Sequence, residues 1–318
     1  MRILIITDSR DQSTCDVVDW LKYFDKEYII LTDDTRYSIL GIDEKGVFSI
    51  KVDGQLIKSD ELQSVWYRRG SIKREPITIT EFRDKELSIA LCTYYNKSSA
   101  VLDEFIQNTL HGIKCINNQM YQSVNKLESL RLAKECGLKI PNTILTTNKS
   151  ELNRFISIHK TVITKDFTDG IGLSTPLWQV YAYTELVTPQ FYNSLEEEFP
   201  LSLFQEMIDK KFEIRTFYLD DTFYSMAIFS QSNPKTSVDF RHYDKINPNR
   251  RTPFQLPLSV ENKLRLLMQR LNLNSGSIDI VYSLQKEYYF LEVNPIGQFG
   301  MCSYPCNYQL EKHIAKYL

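Results

Sequence analysis

Near its C-terminal end the chain carries two short apolar stretches, each with an acid set among β-branched and aromatic residues. They are Ser277-Ile278-Asp279-Ile280-Val281 and Tyr289-Phe290-Leu291-Glu292-Val293-Asn294-Pro295, with Ser283-Leu284-Gln285-Lys286 between them. Both read as strands of one hairpin, the second ended by its proline. A hairpin centred between Gln285 and Lys286 sets Asp279 directly opposite Glu292 and Ser277 opposite Asn294. Directly opposed Cβ atoms lie about 4.5–5.5 Å apart, and like charges there repel. Side chains alternate along a strand, so Glu292 and Asn294 share a face. Oxygen donors converging in this way suit Mg2+, which takes one or two carboxylates and completes its shell with waters and phosphate oxygens. A solvated acidic sheet face is the plainer alternative. It fits poorly with Ile278, Ile280, Leu291 and Val293, which suggest strands buried on one side. On the metal reading, Glu292→Gln relieves repulsion and leaves the metal-free protein no less stable.

A phosphate held beside carboxylates needs cations as well. The candidates are Lys126, Lys165, Arg215, Arg241 and Arg251. Lys165 ends the apolar run Val162-Ile163-Thr164, where a lysine is rarely buried without a partner. A strand-end lysine reaching water is its bland reading. Arg215 alternates with Glu213 along Phe212–Phe217, so the two point the same way, either in a site or as a surface ion pair. Asp239-Phe240-Arg241-His242-Tyr243 and Asn249-Arg250-Arg251 form a cation-rich loop, solvated or facing phosphate. Thr168-Asp169-Gly170-Ile171-Gly172 reads as a turn, plain or folded over phosphates with its N–H groups exposed. His111, His159, His242 and His313 lie in unrelated contexts and read as structural or exposed.

The chain around these segments is α/β. Ile3–Ile6, a helical stretch through Val17, Val18, Leu21 and Phe24, and Tyr28–Leu31 give strand, helix and strand, the pattern of a parallel sheet unit. Ser64–Tyr67 and Ile113–Ile116 read as further strands, with helical periodicity from about Thr80 to Leu110. A helix over Ser123–Cys136 stops at Gly137, and Pro141 follows. Strands are expected at Thr161–Phe167, Leu203–Ile208, Phe212–Leu219 and Thr222–Phe229. A helix over Ser259–Leu273 has Leu264, Leu267, Met268 and Leu271 on one face, and a last helix lies near Tyr308–Leu318. Three segments follow: an N-terminal α/β domain (1–118), a central subdomain (119–200) and a C-terminal subdomain (201–318).

With 318 residues and 42% hydrophobic content the chain can build a large core. A net charge of −2 gives no bulk reason to expect nucleic acid, and no run approaches the roughly 18 apolar residues of a membrane span. A cytoplasmic location is expected, with the six cysteines reduced.

The order of these segments resembles the ATP-grasp superfamily. The carrying residues are Asn125-Lys126 opening a helix, the strand lysine Lys165, the hinge Gln205-Glu206-Met207-Ile208, Glu213-x-Arg215, Asp279 and Glu292-x-Asn294-Pro295, over about residues 118–318. A finer resemblance is to the peptide maturases of graspetide pathways, the microviridin-type and grasp-with-spasm ligases. It rests on Ser64-Val65-Trp66-Tyr67-Arg68-Arg69-Gly70, Asp239-Phe240-Arg241, Glu292 through Phe299, and Pro305-Cys306-Asn307-Tyr308. The resemblance implies an ATP-grasp fold with a small α/β domain before it. It also implies ATP bound through Lys126, Lys165, Glu206, Met207, Ile208, Glu213, Arg241 and Arg251. Two Mg2+ ions would sit on Asp279, Glu292 and Asn294, with Arg215 and Arg241 stabilising transferred groups. Such enzymes activate Asp or Glu side chains of a precursor peptide carrying a leader region. They link them to Ser/Thr hydroxyls or Lys amines, and a homodimer is favoured. Two other functions stay open at this point: a ligase adding glutamate or another amino acid to a protein or small molecule, and a non-catalytic nucleotide-binding module.

Overall fold

Ile3, Leu4, Ile5 and Ile6 are all buried, so β1 (Arg2–Thr7) lies at the centre of a sheet covered on both faces. The structure, a computed structural model, describes residues 1–70, 73–74, 85–168, 172–174, 177, 179–181, 183–242 and 244–318. It divides into two compact units, Met1–Gln122 with Gln309–Leu318, and Ser123–Tyr308.

In the first unit α1 (Gln12–Tyr23) starts at Asp11, whose side chain accepts from Thr14 N. β2 (Tyr28–Thr32) runs parallel beside β1. β3 (Arg36–Ile42), β4 (Phe48–Val52) and β5 (Gln55–Lys58) form an antiparallel meander. β6 (Leu62–Tyr67) then pairs parallel with the other edge of β1, and β7 (Lys73–Arg74) joins β3. After α2 (Lys85–His111), β8 (Cys115–Ile116) completes the order β2-β1-β6-β8. One core joins Leu4, Ile6 and Val65 of this sheet to Phe48, Ile50 and Ile57 of the meander and to Ile106 and Leu110 of α2. The meander lies outside the sequence-based expectation, because its strands are short and only alternate residues are buried. Residues 80–84 of the expected helix lie outside the described residues.

In the second unit α3 (Lys126–Glu135) is capped by Asn125, which accepts from Leu127 N and Glu128 N. Gly137, at φ +78°, lets the chain turn away after the helix. β9 (Thr143–Asn148), α4 (Lys149–His159) and β10 (Val162–Lys165) follow. β11 (Gly172–Ser174) and β12 (Gln179–Tyr181) pair with each other. β13 (Glu185–Leu186), α5 (Pro189–Ser194) and β14 (Glu198–Glu206) complete an antiparallel sheet of order β13-β10-β14-β9. Leu152 and Phe155 of α4 pack on Val162 and Phe204 of that sheet.

A second antiparallel sheet has the order β17-β16-β15-β18-β19. Its strands are β15 (Lys210–Leu219), β16 (Thr222–Phe229), β17 (Arg250–Phe254), β18 (Ser275–Ser283) and β19 (Tyr288–Asn294). α6 (Leu258–Arg270) precedes β18 and buries Leu264, Leu267 and Met268 completely. Each such side chain contributes about 1.5–3 kcal/mol of burial. α7 (Gly300–Cys306) ends the unit.

The last helix, α8 (Leu310–Tyr317), belongs to the first unit. Leu310, Ile314, Ala315 and Leu318 are buried, Ser64 Oγ donates to Leu318 O at 2.7 Å, and Lys26 Nζ donates to Ala315 O at 3.0 Å. The segment expected at 201–318 therefore gives up its last helix, because the apolar face of α8 is covered there. None of the six cysteines, all among the described residues, forms a disulfide.

Candidate active site

Three neighbouring strands set charge in one row. Arg215 of β15 is the direct partner of Asp279 in β18, and Asp279 is the direct partner of Glu292 in β19. Arg215 Nη1 donates to Asp279 Oδ2 at 2.6 Å. α3 lies against β19 and brings Lys126 Nζ to 3.3 Å from Glu292 Oε2. The row therefore reads cation, acid, acid, cation. Lys126 is the first residue of α3, where a positive charge opposes the helix dipole. Its place there makes sense only against the acid it faces.

The pairing of Asp279 with Glu292 depends on a β-bulge. Around the turn, Ser283 N donates to Glu287 O, Tyr282 pairs with Tyr288 and Ile280 with Phe290. Continued without interruption, that register would set Asp279 opposite Leu291 and turn Glu292 to the other face. The register shifts by one residue between Asp279 and Ile280, and Glu292 arrives opposite Asp279. The pairing expected from sequence is the one observed, including Ser277 with Asn294. It comes from a hairpin centred half a residue earlier plus a bulge.

These groups border a cleft with about 1080 Å³ of empty space, its open mouth included. That is ample for a nucleotide-sized ligand. Lys126, Lys165, Glu206, Met207, Ile208, Glu213, Arg241, Asp279 and Glu292, all expected site residues, line it. Arg215 stands in the row but not on the lining. Asn294 is exposed at the end of β19, and Arg251 sits in β17 opposite Ile228, off the lining. Of the turn at 168–172, residues 169–171 lie outside the described residues, as does Tyr243.

Several lining groups carry partners that the sequence did not announce. Lys210 is buried and donates to Glu213 Oε1 at 2.5 Å and to Val238 O at 3.0 Å. Ser230 Oγ donates to Glu213 Oε2. A register shift between Lys210 and Phe212 accompanies the Lys210–Glu213 pairing, so simple alternation gives no hint of it. Asp239 accepts from Arg241 Nη2 at 2.6 Å and from Thr184 N at 3.1 Å. Glu206 Oε2 accepts from Asn142 Nδ2 at 2.9 Å and lies 3.0 Å from His159 Nδ1. His159, expected to be structural or exposed, thus supports the hinge.

Burial pulls the Lys165 ammonium below its ordinary value, with Glu292 opposing. Burial raises the Asp279 carboxyl; Arg215 works against this and Glu292 adds to it. For Glu292 burial also opposes charge, but Lys165, Lys126 and Arg241 outweigh it and hold the carboxyl below the usual range. Burial raises Glu213 despite Lys210 and Ser230. Asp239 is held low by Arg241, although burial works the other way. With Arg241 tied to Asp239 and Lys210 to Glu213, Lys126, Lys165 and Arg215 face Asp279 and Glu292, a surplus of one positive charge. Asp279 Oδ1 and Glu292 Oε1 have no donor among the described residues. Each acid thus keeps an oxygen for a cation, and the oxygen-only donor set fits Mg2+.

No protein-family model and no curated protein matches the sequence. Solved structures do match. A RiPP-associated ATP-grasp ligase of Chryseobacterium gregarium, in complex with ADP and a leader and core peptide, is 25% identical at a TM-score of 0.78, covering 99% of this chain and 94% of that one. The macrocyclase MdnC of Microcystis aeruginosa MRC, bound with precursor peptide MdnA, is 24% identical at a TM-score of 0.76, covering 100% and 99%. The ATP-grasp ligase PsnB, complexed with a phosphomimetic variant of a minimal precursor, Mg and ADP, is 16% identical at 0.70, covering 99% and 96%. Over its whole length, then, the chain has the ATP-grasp fold, in the form built by these peptide-associated ligases.

Proposed function

We propose that the protein is an ATP-dependent ligase that joins side-chain carboxylates of a ribosomally made precursor peptide to hydroxyls or amines of the same peptide. The observation that carries this is the Arg215–Asp279–Glu292–Lys126 row bordering a nucleotide-sized cleft. Support also comes from the likeness of the whole chain to ligases solved with precursor peptides.

A peptide Asp or Glu carboxylate attacks the γ-phosphorus of ATP, giving an acyl phosphate and ADP. A hydroxyl or amine then attacks the acyl carbon and phosphate leaves. Catalysis of this kind is chiefly positioning and electrostatic work. Lys165 and Lys126 attract phosphate oxygens from two sides of the cleft. Arg215, held by Asp279, and Arg241, held by Asp239, stabilise negative charge on the transferred group and on the tetrahedral oxyanion. Met207 and Ile208 pack against the base, and Glu213, which accepts from Lys210, contacts the ribose. Asp279, Glu292 and Asn294 would hold two Mg2+ ions, which offset charge on the phosphates. A leader region of the peptide docks away from the nucleotide, and the enzyme is a homodimer.

The test is mass spectrometry of a precursor peptide encoded beside this gene, incubated with enzyme and Mg-ATP. Each link removes one water, adds no phosphate and converts one ATP to ADP. Mild alkali reopens esters and spares amides. Glu292→Gln abolishes turnover. A product gaining the mass of a free amino acid, or AMP release, contradicts the proposal.

A further inference from the structure

Arg68-Arg69-Gly70 leaves β6 at the carboxyl end of the parallel sheet β2-β1-β6-β8. From β1 the chain crosses through α1 to β2 on one side, while β6 lies on the other, so the strand order reverses between β1 and β6. In open parallel sheets ligands gather outside the carboxyl ends at such a point. The two loops meet closely there. The backbone N–H groups of Arg68 and Arg69 both donate to Ile6 O, at 2.8 and 3.3 Å. Gly70, at φ +79°, lies where a Cβ would come within 3.1 Å of Thr7 O.

Tyr67 packs in the core with α2, so Arg68 takes the opposite face of the sheet and reaches Asp11, the N-cap of α1. The Arg68 side chain is 3% exposed and that of Asp11 5%. Four donors already converge on Asp11: Thr14 N at 3.0 Å, Thr14 Oγ1 at 2.8 Å, Arg68 Nε at 3.1 Å and Arg68 Nη2 at 3.4 Å. Arg69 Nε lies 3.5 Å from Asp11 Oδ1 as an ion pair only. That Nε is buried, and among the described residues none accepts a hydrogen bond from the Arg69 side chain.

Folding alone does not favour this arrangement, because two guanidinium groups share one carboxylate at the positive end of a helix dipole. Burial lowers the Arg68 guanidinium to about 10; Asp11 pulls the other way and Arg69 adds to the fall. One further carboxylate would neutralise the group, and the planar fork of Arg69 suits its two oxygens. The nucleotide-sized cleft does not call on these arginines, since every residue lining it falls within Ser123–Tyr308.

We infer that Arg69, backed by Arg68, binds an Asp or Glu side chain of the substrate peptide. The inference rests on the ligase reading above and deepens it, by giving the peptide a carboxylate contact on the first unit.

Calorimetry on the full chain tests it, with the precursor peptide encoded beside this gene and with versions whose acids are changed one at a time to Asn or Gln. Arg69→Gln removes the charge and keeps a polar side chain. Peptide affinity should fall roughly five- to twentyfold, the worth of a charge-assisted hydrogen bond at a partly exposed group, with ATP affinity unchanged. Arg69→Lys keeps the charge without the fork and falls between. In the parent protein one acid replacement costs the same factor, and in Arg69→Gln that replacement costs nothing more. A merely structural arginine would not produce this coupling. If Arg69→Gln does not fold, the same cycle run with Arg69→Lys decides. Equal peptide affinity in parent and variant, or a loss that couples to no acid, overturns the inference; linked product still formed by the parent leaves the ligase proposal standing. A parent protein that neither binds nor modifies the peptide overturns the ligase proposal, and this inference with it.

Discussion

Replacing Glu292 by Gln removes one negative charge and keeps the shape of the side chain. Glu292 is 3.3 Å from Lys126, and Lys165 and Arg241 also favour its charge. Burial works against ionisation, yet the cations prevail and the carboxyl lies below its ordinary value. The folded chain therefore favours the ionised form, even with Asp279 directly opposite. What is lost is a charge-assisted contact, about 1–3 kcal/mol when well made. The Glu292 side chain is 27% exposed, so solvent screening brings the expectation to about 1–2 kcal/mol. Part of this returns through Asp279, which Glu292 no longer pushes up. A depressed carboxyl contributes stability that is present above its unfolded value near 4.3 and lost as pH falls through the lower folded value. Glu292→Gln should thus destabilise the protein by about 1–2 kcal/mol at neutral pH and by less at about pH 3. Urea unfolding without metal or nucleotide, at both pH values, reads the difference. A variant as stable as its parent at neutral pH would refute the reasoning and restore the repulsion that the sequence implies.

Lys165→Ala should weaken ATP binding by roughly ten- to a hundredfold, the worth of a charge-assisted bond; unchanged affinity by calorimetry removes that lysine from the site. Glu213→Ala strips a buried lysine, Lys210, of its acid, so a loss of about 3–5 kcal/mol in unfolding experiments is expected beside any effect on ATP. Gly297→Ala places a Cβ onto the Ser277 side chain and 2.6 Å from its backbone N. At least about 1–3 kcal/mol of overpacking should follow in thermal unfolding, and an unaffected melting temperature would contradict the packing described. A core peptide lacking its leader should react more slowly than the full precursor at equal low concentration, because docking raises the effective concentration of the reactive segment.

The acid hairpin was legible because alternation and opposite pairing are local rules, and Asp279, Glu292, Ser277 and Asn294 obey them. The bulge that makes those rules hold here left no mark, since Leu291 looks like any strand residue. α6 was legible from its apolar spacing, and α3 from Asn125 and Gly137 at its ends. The partners inside the cleft were not. Lys210 reaches Glu213 across an irregular register, and Asn142 and His159 reach Glu206 from elements far away in sequence. Tertiary partners of this sort carry no period. The placement of α8 escaped for a similar reason: an amphipathic helix records that it needs a surface, and says nothing about which one.

The same row of charges also explains how two opposed carboxylates can belong to a folded chain before any ligand arrives. Alone, Asp279 and Glu292 would repel at the distance of a cross-strand pair. Arg215 closes one end of the row and Lys126 the other, so each acid has one oxygen engaged by a cation and one left over. The engaged oxygens make the site tolerable, and the uncommitted ones make it useful. Because Arg241 and Lys210 are already tied to Asp239 and Glu213, the chain offers little net positive charge to a triphosphate. On the proposed function, metal-bound nucleotide is therefore the species whose charge the cleft would match. On that reading, the two acids in a phosphate site would receive the ions that enter with the nucleotide.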